Sequence, residues 1–194
     1  MHPLASLIRE PTKFFETARS EDWKPAFKFF MQITIFLSIA TPIVNFLGIE
    51  SDDISSAYQA QIIAYRLVKG YLHPTYGAYS YLIEPFLIIG FGLVILLFLS
   101  GFLHLAFRLM GGKGSILNGW KAACYGVGPC IFGGFLPGIS LFAAFYSAVI
   151  QLYLGPKVLY EARESRAIVF FALMLALTFI EMFFAGTTVP EFAK

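Results

Sequence analysis

Three polar side chains interrupt otherwise apolar stretches of this sequence: Asn45, Glu84 and Glu181. Two carboxylates and an amide at one depth in a low-dielectric medium suit a cation or a proton, because desolvation raises a carboxyl pKa. Ionisable groups in such settings are functional candidates by default. The plainer reading makes each an interfacial residue that reaches water or pairs with Arg66 or Lys69. At the other end of the apolar stretches lie Gln32, His104 and Gln151. His104 precedes Arg108 by four residues and reads as an interfacial hydrogen-bonder rather than a ligand.

Pro42 and Pro129 also fall inside apolar stretches and are candidate helix kinks, since proline removes a backbone donor and crowds the preceding turn. Broken helices expose backbone groups that bind ions in many transporters. They also occur as plain kinks filled by neighbours. Cys124 and Cys130 are six apart, which matches neither a redox pair nor a zinc spacing, and they read as buried thiols. Gly111-Gly112-Lys113-Gly114-Ser115 resembles a phosphate loop only superficially. Lys113 is followed by Gly114, the four-residue spacer is missing, and no strand precedes it. A turn between two helices accounts for it. No Ser/His/Asp set, HExxH motif or metal spacing is present, so no catalytic residue, cofactor or metal is expected.

These residues must be positioned by elements that suit lipid. Of 194 residues, 58% are hydrophobic and 13% charged, and Phe supplies 22. Soluble domains hold about 45–50% apolar and about 25% charged residues. Mean hydropathy is +0.72. A small soluble fold leaves too much area wet to hide such a surface. A soluble enzyme, a nucleic-acid module, a disordered chain and a secreted disulfide scaffold are excluded on this ground.

A helix needs about 20 apolar residues to cross the hydrocarbon core. The expected fold is all-α, a single polytopic membrane domain over 1–194 with spans at about 26–47, 81–110, 116–136, 138–160 and 167–185. Gly133-Gly134-Phe135-Leu136-Pro137-Gly138 divides the third span from the fourth. Charge placement sets the direction. With the N-terminus in the cytoplasm, the inside segments hold Arg9, Lys13, Arg19, Lys24 and Lys28, then Arg108, Lys113 and Lys121, then Lys157, Arg163 and Arg166. Only Arg66, Lys69 and Lys194 remain outside. The protein is thus expected to be multi-pass in the cytoplasmic membrane, with the C-terminus outside. No signal peptide is visible ahead of the first span.

Residues 1–25 read as a cytoplasmic interfacial segment, with Pro11 in a first helical turn and Phe14 and Phe15 toward lipid. Phe14, Phe15, Trp23 and Lys113 are the candidate contacts with the membrane surface or a partner. The outside loop, 48–80, is too long for an idle connection. Ile54, Tyr58, Ile62 and Tyr65 recur at helical spacing, and His73-Pro74 and Gly77 are expected to return the chain. Ser140, Ala144 and Ala148, with Ala172 and Ala176, give small-residue faces for close helix packing within or between monomers.

Two stretches carry a likeness. Residues 8–30, IREPTKFFETARSEDWKPAFKFF, place a Pro before a Phe pair and then a Trp-x-Pro-Ala lead-in to the first span. Residues 109–138, LMGGKGSILNGWKAACYGVGPCIFGGFLPG, combine the Gly-Lys-Gly-Ser turn, Tyr125-Gly126 and Pro129. Together they resemble the Yip family, the Ypt/Rab-interacting membrane proteins, and its short prokaryotic members. The resemblance implies a five-span bundle with a cytoplasmic N-terminus. Eukaryotic members act in vesicle traffic and bind prenylated small GTPases and one another. Only residues 1–25 precede the first span here, which counts against a small GTPase partner and points to a prokaryotic member. The resemblance carries over no catalytic residue.

The expected role is therefore non-enzymatic: membrane organisation or partner-binding scaffolding, in contact with lipid, with further copies of the chain or with other membrane proteins. The alternative is a small transporter, channel or lipid scramblase that uses Glu84, Glu181 and Asn45.

Overall fold

The computed structural model describes residues 3–46, 63–135 and 140–187, which form helices and turns, with no strand among them. Two short helices open the chain, α1 (Pro3–Arg9) and α2 (Pro11–Ser20). Pro11 occupies the first turn of α2, where its missing N–H would have no partner anyway. The backbone then turns extended at Glu21. The Asp22 carboxylate accepts the Trp23 N–H at 2.7 Å and starts α3 (Trp23–Phe46). This helix continues through Pro42 to Phe46.

Helix α4 (Ile63–Tyr76) covers the end of the expected outside loop, and residues 47–62 lie outside the described ones. The helix does not stop at His73-Pro74 as the sequence suggests; Pro74 lies inside it. The carbonyl that Pro74 leaves unpaired is that of Gly70, which is exposed, so the helix tolerates the loss. The turn comes instead at 77–79, where Gly77 takes a φ of +54°, a conformation that favours glycine. Helix α5 (Ser80–Leu109) follows at once.

The third apolar stretch is broken. Helix α6 (Ile116–Gly126) ends in a turn at 127–129, and α7 (Cys130–Phe135) follows it. The Gly128 and Cys130 amides reach back three residues, to the carbonyls of Tyr125 and Val127, each at 3.0 Å. Pro129, which has no N–H to lose, sits at this break. Helix α8 (Ser140–Ala148) passes directly into a π-helix over Val149–Leu159 that contains Pro156. The apolar pattern predicts an ordinary helix there, because a change of hydrogen-bond register leaves the composition unchanged. Helix α9 (Glu164–Thr187) closes the described chain.

The core gathers Leu7, Phe15, Phe29, Leu103, Phe107, Ile150 and Tyr160. The outer faces carry large apolar side chains in the open, among them Ile39, Phe98, Leu105 and Phe179. Two helical runs among the described residues, 70–109 and 142–159, are long and apolar enough to cross a membrane.

Candidate functional site at the basic end of the bundle

Side-chain and backbone contacts bring one end of several helices together. Arg166 at the start of α9 donates to the Met110 carbonyl just past α5, at 2.8 Å. The Lys113 amide, in the turn before α6, donates to the Tyr160 carbonyl at 2.7 Å. Lys121 of α6 reaches the end of α2. Arg19, Arg108, Lys113, Lys121 and Arg166 therefore share one end of the bundle.

Tyr160 is the hub of this end and is fully buried. Its hydroxyl donates to the Ser115 carbonyl at 2.8 Å. His104 Nδ1 lies 2.7 Å from the same oxygen. A phenol has one proton, so with that proton on Ser115 it is His104 that donates its Nδ1–H to the phenol oxygen. The Tyr160 ring meets Phe107 edge-on, with centroids 5.1 Å apart. Asn118 donates to the Leu159 carbonyl at 2.9 Å.

The glycine-rich turn is shaped by this tyrosine. A Cβ on Gly112 would stand 2.8 Å from the Phe107 carbonyl oxygen and from Tyr160 Cβ, and one on Gly114 would stand 2.7 Å from the Tyr160 ring. Glycine at 112 and 114 is thus a requirement of close packing. Glu161, directly after the hub, holds a φ of +52° and forms an ion pair with Arg19.

Lys121 is buried to 3% exposure although it carries a charge. Its ammonium donates to the Arg19 carbonyl at 3.1 Å and the Glu21 carbonyl at 2.5 Å. These carbonyls sit at the C-terminal end of α2, where a helix has unpaired acceptors and negative dipole charge. A lysine on α6 thus caps a helix about a hundred residues earlier in the chain.

The N-terminal segment is folded into the bundle. Phe15, expected at the membrane surface, is fully buried, as is Leu7. Phe14 and Phe15 both meet the Tyr125 ring edge-on, at centroid distances of 4.7 and 6.0 Å. The physical reason is that α6 offers an aromatic partner, so burial in protein replaces burial in lipid. Trp23 is partly open and lies 6.4 Å from Trp120. Lys113 is exposed.

Between α2, the 111–115 turn, α6 and the end of the π-helix lies a pocket of about 350 Å³. Arg19, Lys113, Lys121, Glu21 and Glu161 line it with the Tyr160 hub. On the rim of the same end, Glu164 accepts from Lys157 at 2.6 Å and from the Tyr153 hydroxyl at 2.7 Å. These hydrogen bonds, Lys157 first, hold the Glu164 carboxyl below its ordinary range.

At the opposite end, Glu84 is buried to 3% exposure, one turn past the buried Ser80. Ser80 donates to the Gly77 carbonyl at 2.6 Å and lies 3.2 Å from His73 Nδ1. The side chains of Asn45 and Glu181 lie outside the described residues, while the helices that carry them, α3 and α9, are described. Sequence reasoning missed Lys121, Tyr160, Asn118 and the Arg19–Glu161 pair as a group. The available signal was a lysine inside the apolar stretch 116–136, read only as a charge that marks one side.

Among the described residues the chain is an all-helical bundle with apolar outer faces and a polar, basic end, features that fit a membrane protein. A family model described as the Yip1 domain matches residues 5–185, and the chain belongs to the Yip family. The matched range includes α1 and α2 almost entirely, consistent with their place in the core. No curated protein and no solved structure matches the chain.

Proposed function

We propose that this chain is a five-span protein of the cytoplasmic membrane, with its basic end in the cytoplasm, and that it acts without enzymatic chemistry as a scaffold in membrane organisation. The single observation that carries this reading is the docking of α1 and α2 onto α6 and the π-helix, through Phe15, Leu7 and Lys121. That docking makes the basic end a composed face rather than a free tail. The excess of Lys and Arg at this end supports a cytoplasmic orientation. The chain is of prokaryotic type, and its partners are membrane lipid, further copies of itself or other membrane proteins.

Two measurements test the reading. Single cysteines at Lys13, Lys113 and Arg163, in a background without Cys124 and Cys130, should resist an impermeant maleimide in intact cells and react after lysis. Labelling in intact cells overturns the orientation. Native mass spectrometry and crosslinking in lipid should show a self-associated or partner-bound species. A lone monomer throughout overturns the scaffold.

The burial of Glu84 in an apolar helix favours a second reading, in which the chain moves an ion, a proton or a lipid. In that case proteoliposomes show flux, and Glu84→Gln and Glu181→Gln change its rate. Liposomes silent in all three assays remove it.

A further inference from the structure

We propose that the pocket at the basic end is a binding site for a phosphate group, of the kind an anionic lipid headgroup carries. The inference rests on the reading of this end as the headgroup-facing one, and adds to it a specific site. Five charged side chains line the pocket. Arg19 and Glu161 pair with each other and largely cancel. That leaves Lys113 and Lys121 against Glu21.

The two lysines are differently prepared. Lys121 is a built-in charge: it is buried, and two of its three ammonium hydrogens go to the Arg19 and Glu21 carbonyls. The third remains for an acceptor in the pocket that Lys121 lines. Lys113 is exposed, and its ammonium makes no ion pair or hydrogen bond among the described residues. It lies on the turn that the Tyr160 hub fixes in place, so its backbone position is preorganised.

The pocket also opens on the start of α6, an eleven-residue helix whose capping residue Ser115 makes no side-chain cap bond. The Ile116 and Leu117 amides have no backbone acceptor outside the helix among the described residues. Unpaired amides and the positive dipole end at a helix start favour an anion. A volume of about 350 Å³ holds a phosphoglycerol-sized group. At a headgroup-facing end the anion at hand is a lipid phosphate, whose unesterified oxygens accept from ammonium and amide donors alike.

The test uses the full chain purified in detergent, where binding reads the pocket whichever side of the membrane it faces. Native mass spectrometry would follow titration with phosphatidylglycerol, with inorganic phosphate, and with phosphatidylcholine, whose phosphate is neutralised by a choline cation that Lys113 and Lys121 would repel. Phosphatidylglycerol should be retained about tenfold more tightly than phosphatidylcholine, and Lys113→Glu should abolish that preference. Lys24→Glu, an exposed lysine outside the pocket lining, should change retention less than about twofold. Because Lys113 is exposed, its variant should keep the parent melting curve.

Displacement of the lipid by millimolar inorganic phosphate supports the site and assigns it to a soluble phosphate-bearing ligand. Absence of displacement, with the lipid preference intact, supports the site as a headgroup site. Equal retention of both lipids with no effect of phosphate overturns the proposal. So does unchanged binding in Lys113→Glu, or an equal loss in Lys24→Glu. The maleimide labelling above fails or succeeds separately from these outcomes.

Discussion

Lys121 donates its ammonium to the Glu21 carbonyl at 2.5 Å, joining α6 to the end of α2. A second bond to the Arg19 carbonyl completes the cap. The N-terminal helices thereby share the stability of the bundle. Lys121→Met keeps the length of the side chain and removes both bonds. It should lower stability by about 2 kcal/mol, in the range for hydrogen bonds to charged groups. Thermal melting in detergent measures the loss. Limited proteolysis between Ser20 and Trp23 should accelerate in the variant.

Phe15 supplies the apolar half of the same junction. It is fully buried against Tyr125, and Phe15→Ala should destabilise by about 3–5 kcal/mol through lost transfer energy and the cavity left behind. Ile8→Ala, at an exposed position of α1, should stay within about 0.5 kcal/mol. Equal melting temperatures for the two variants would show that α1 and α2 are not docked.

The turn at 111–115 makes a sharp prediction about two glycines. Gly114→Ala would place a methyl 2.7 Å from the Tyr160 ring, and Gly112→Ala would place one 2.8 Å from the Phe107 carbonyl oxygen. Each should destabilise by about 1–3 kcal/mol, as overpacking does. Gly90→Ala on α5 meets nothing within 4 Å and should be neutral or stabilising, by up to about 1 kcal/mol from helix propensity. Thermal melts of the three variants side by side decide it.

Tyr160 and His104 should behave as a coupled pair. Tyr160→Phe removes a bond to Ser115 and leaves His104 without its acceptor, for a loss of about 1–2 kcal/mol. His104→Ala in the Tyr160→Phe background should then lose less than it does alone. A double-mutant cycle with strictly additive terms would show that the two side chains do not interact.

The Glu164 carboxyl predicts a direction for acid stability. Its folded pKa lies below its unfolded value because Lys157 and Tyr153 donate to it. A depressed carboxyl pKa stabilises above the unfolded value, and that contribution is lost as pH falls through the folded one. The site is exposed, so the effect is small. The melting temperature of the parent should fall more steeply than that of Glu164→Gln below the ordinary carboxylate range. Parallel pH profiles would refute the assignment.

The residues themselves determined that this is an all-helical chain suited to lipid. Apolar runs and their breaks depend only on composition and spacing, and Lys and Arg placement marks one end before any contact is known. Family membership was equally legible, in the Pro-Phe-Phe and Gly-Lys-Gly-Ser stretches. Contacts between distant segments were not. Nothing local in Phe14-Phe15 separates a lipid-facing pair from one packed on Tyr125, because both environments are apolar. Gly112 and Gly114 read as a flexible turn until Tyr160 is seen to fill the space beside them. Lys121 read as a marker of sidedness until the end of α2 arrived to accept its hydrogens. The tertiary structure alone decided these points, since each depends on what a residue some fifty to a hundred positions away places within a few ångströms.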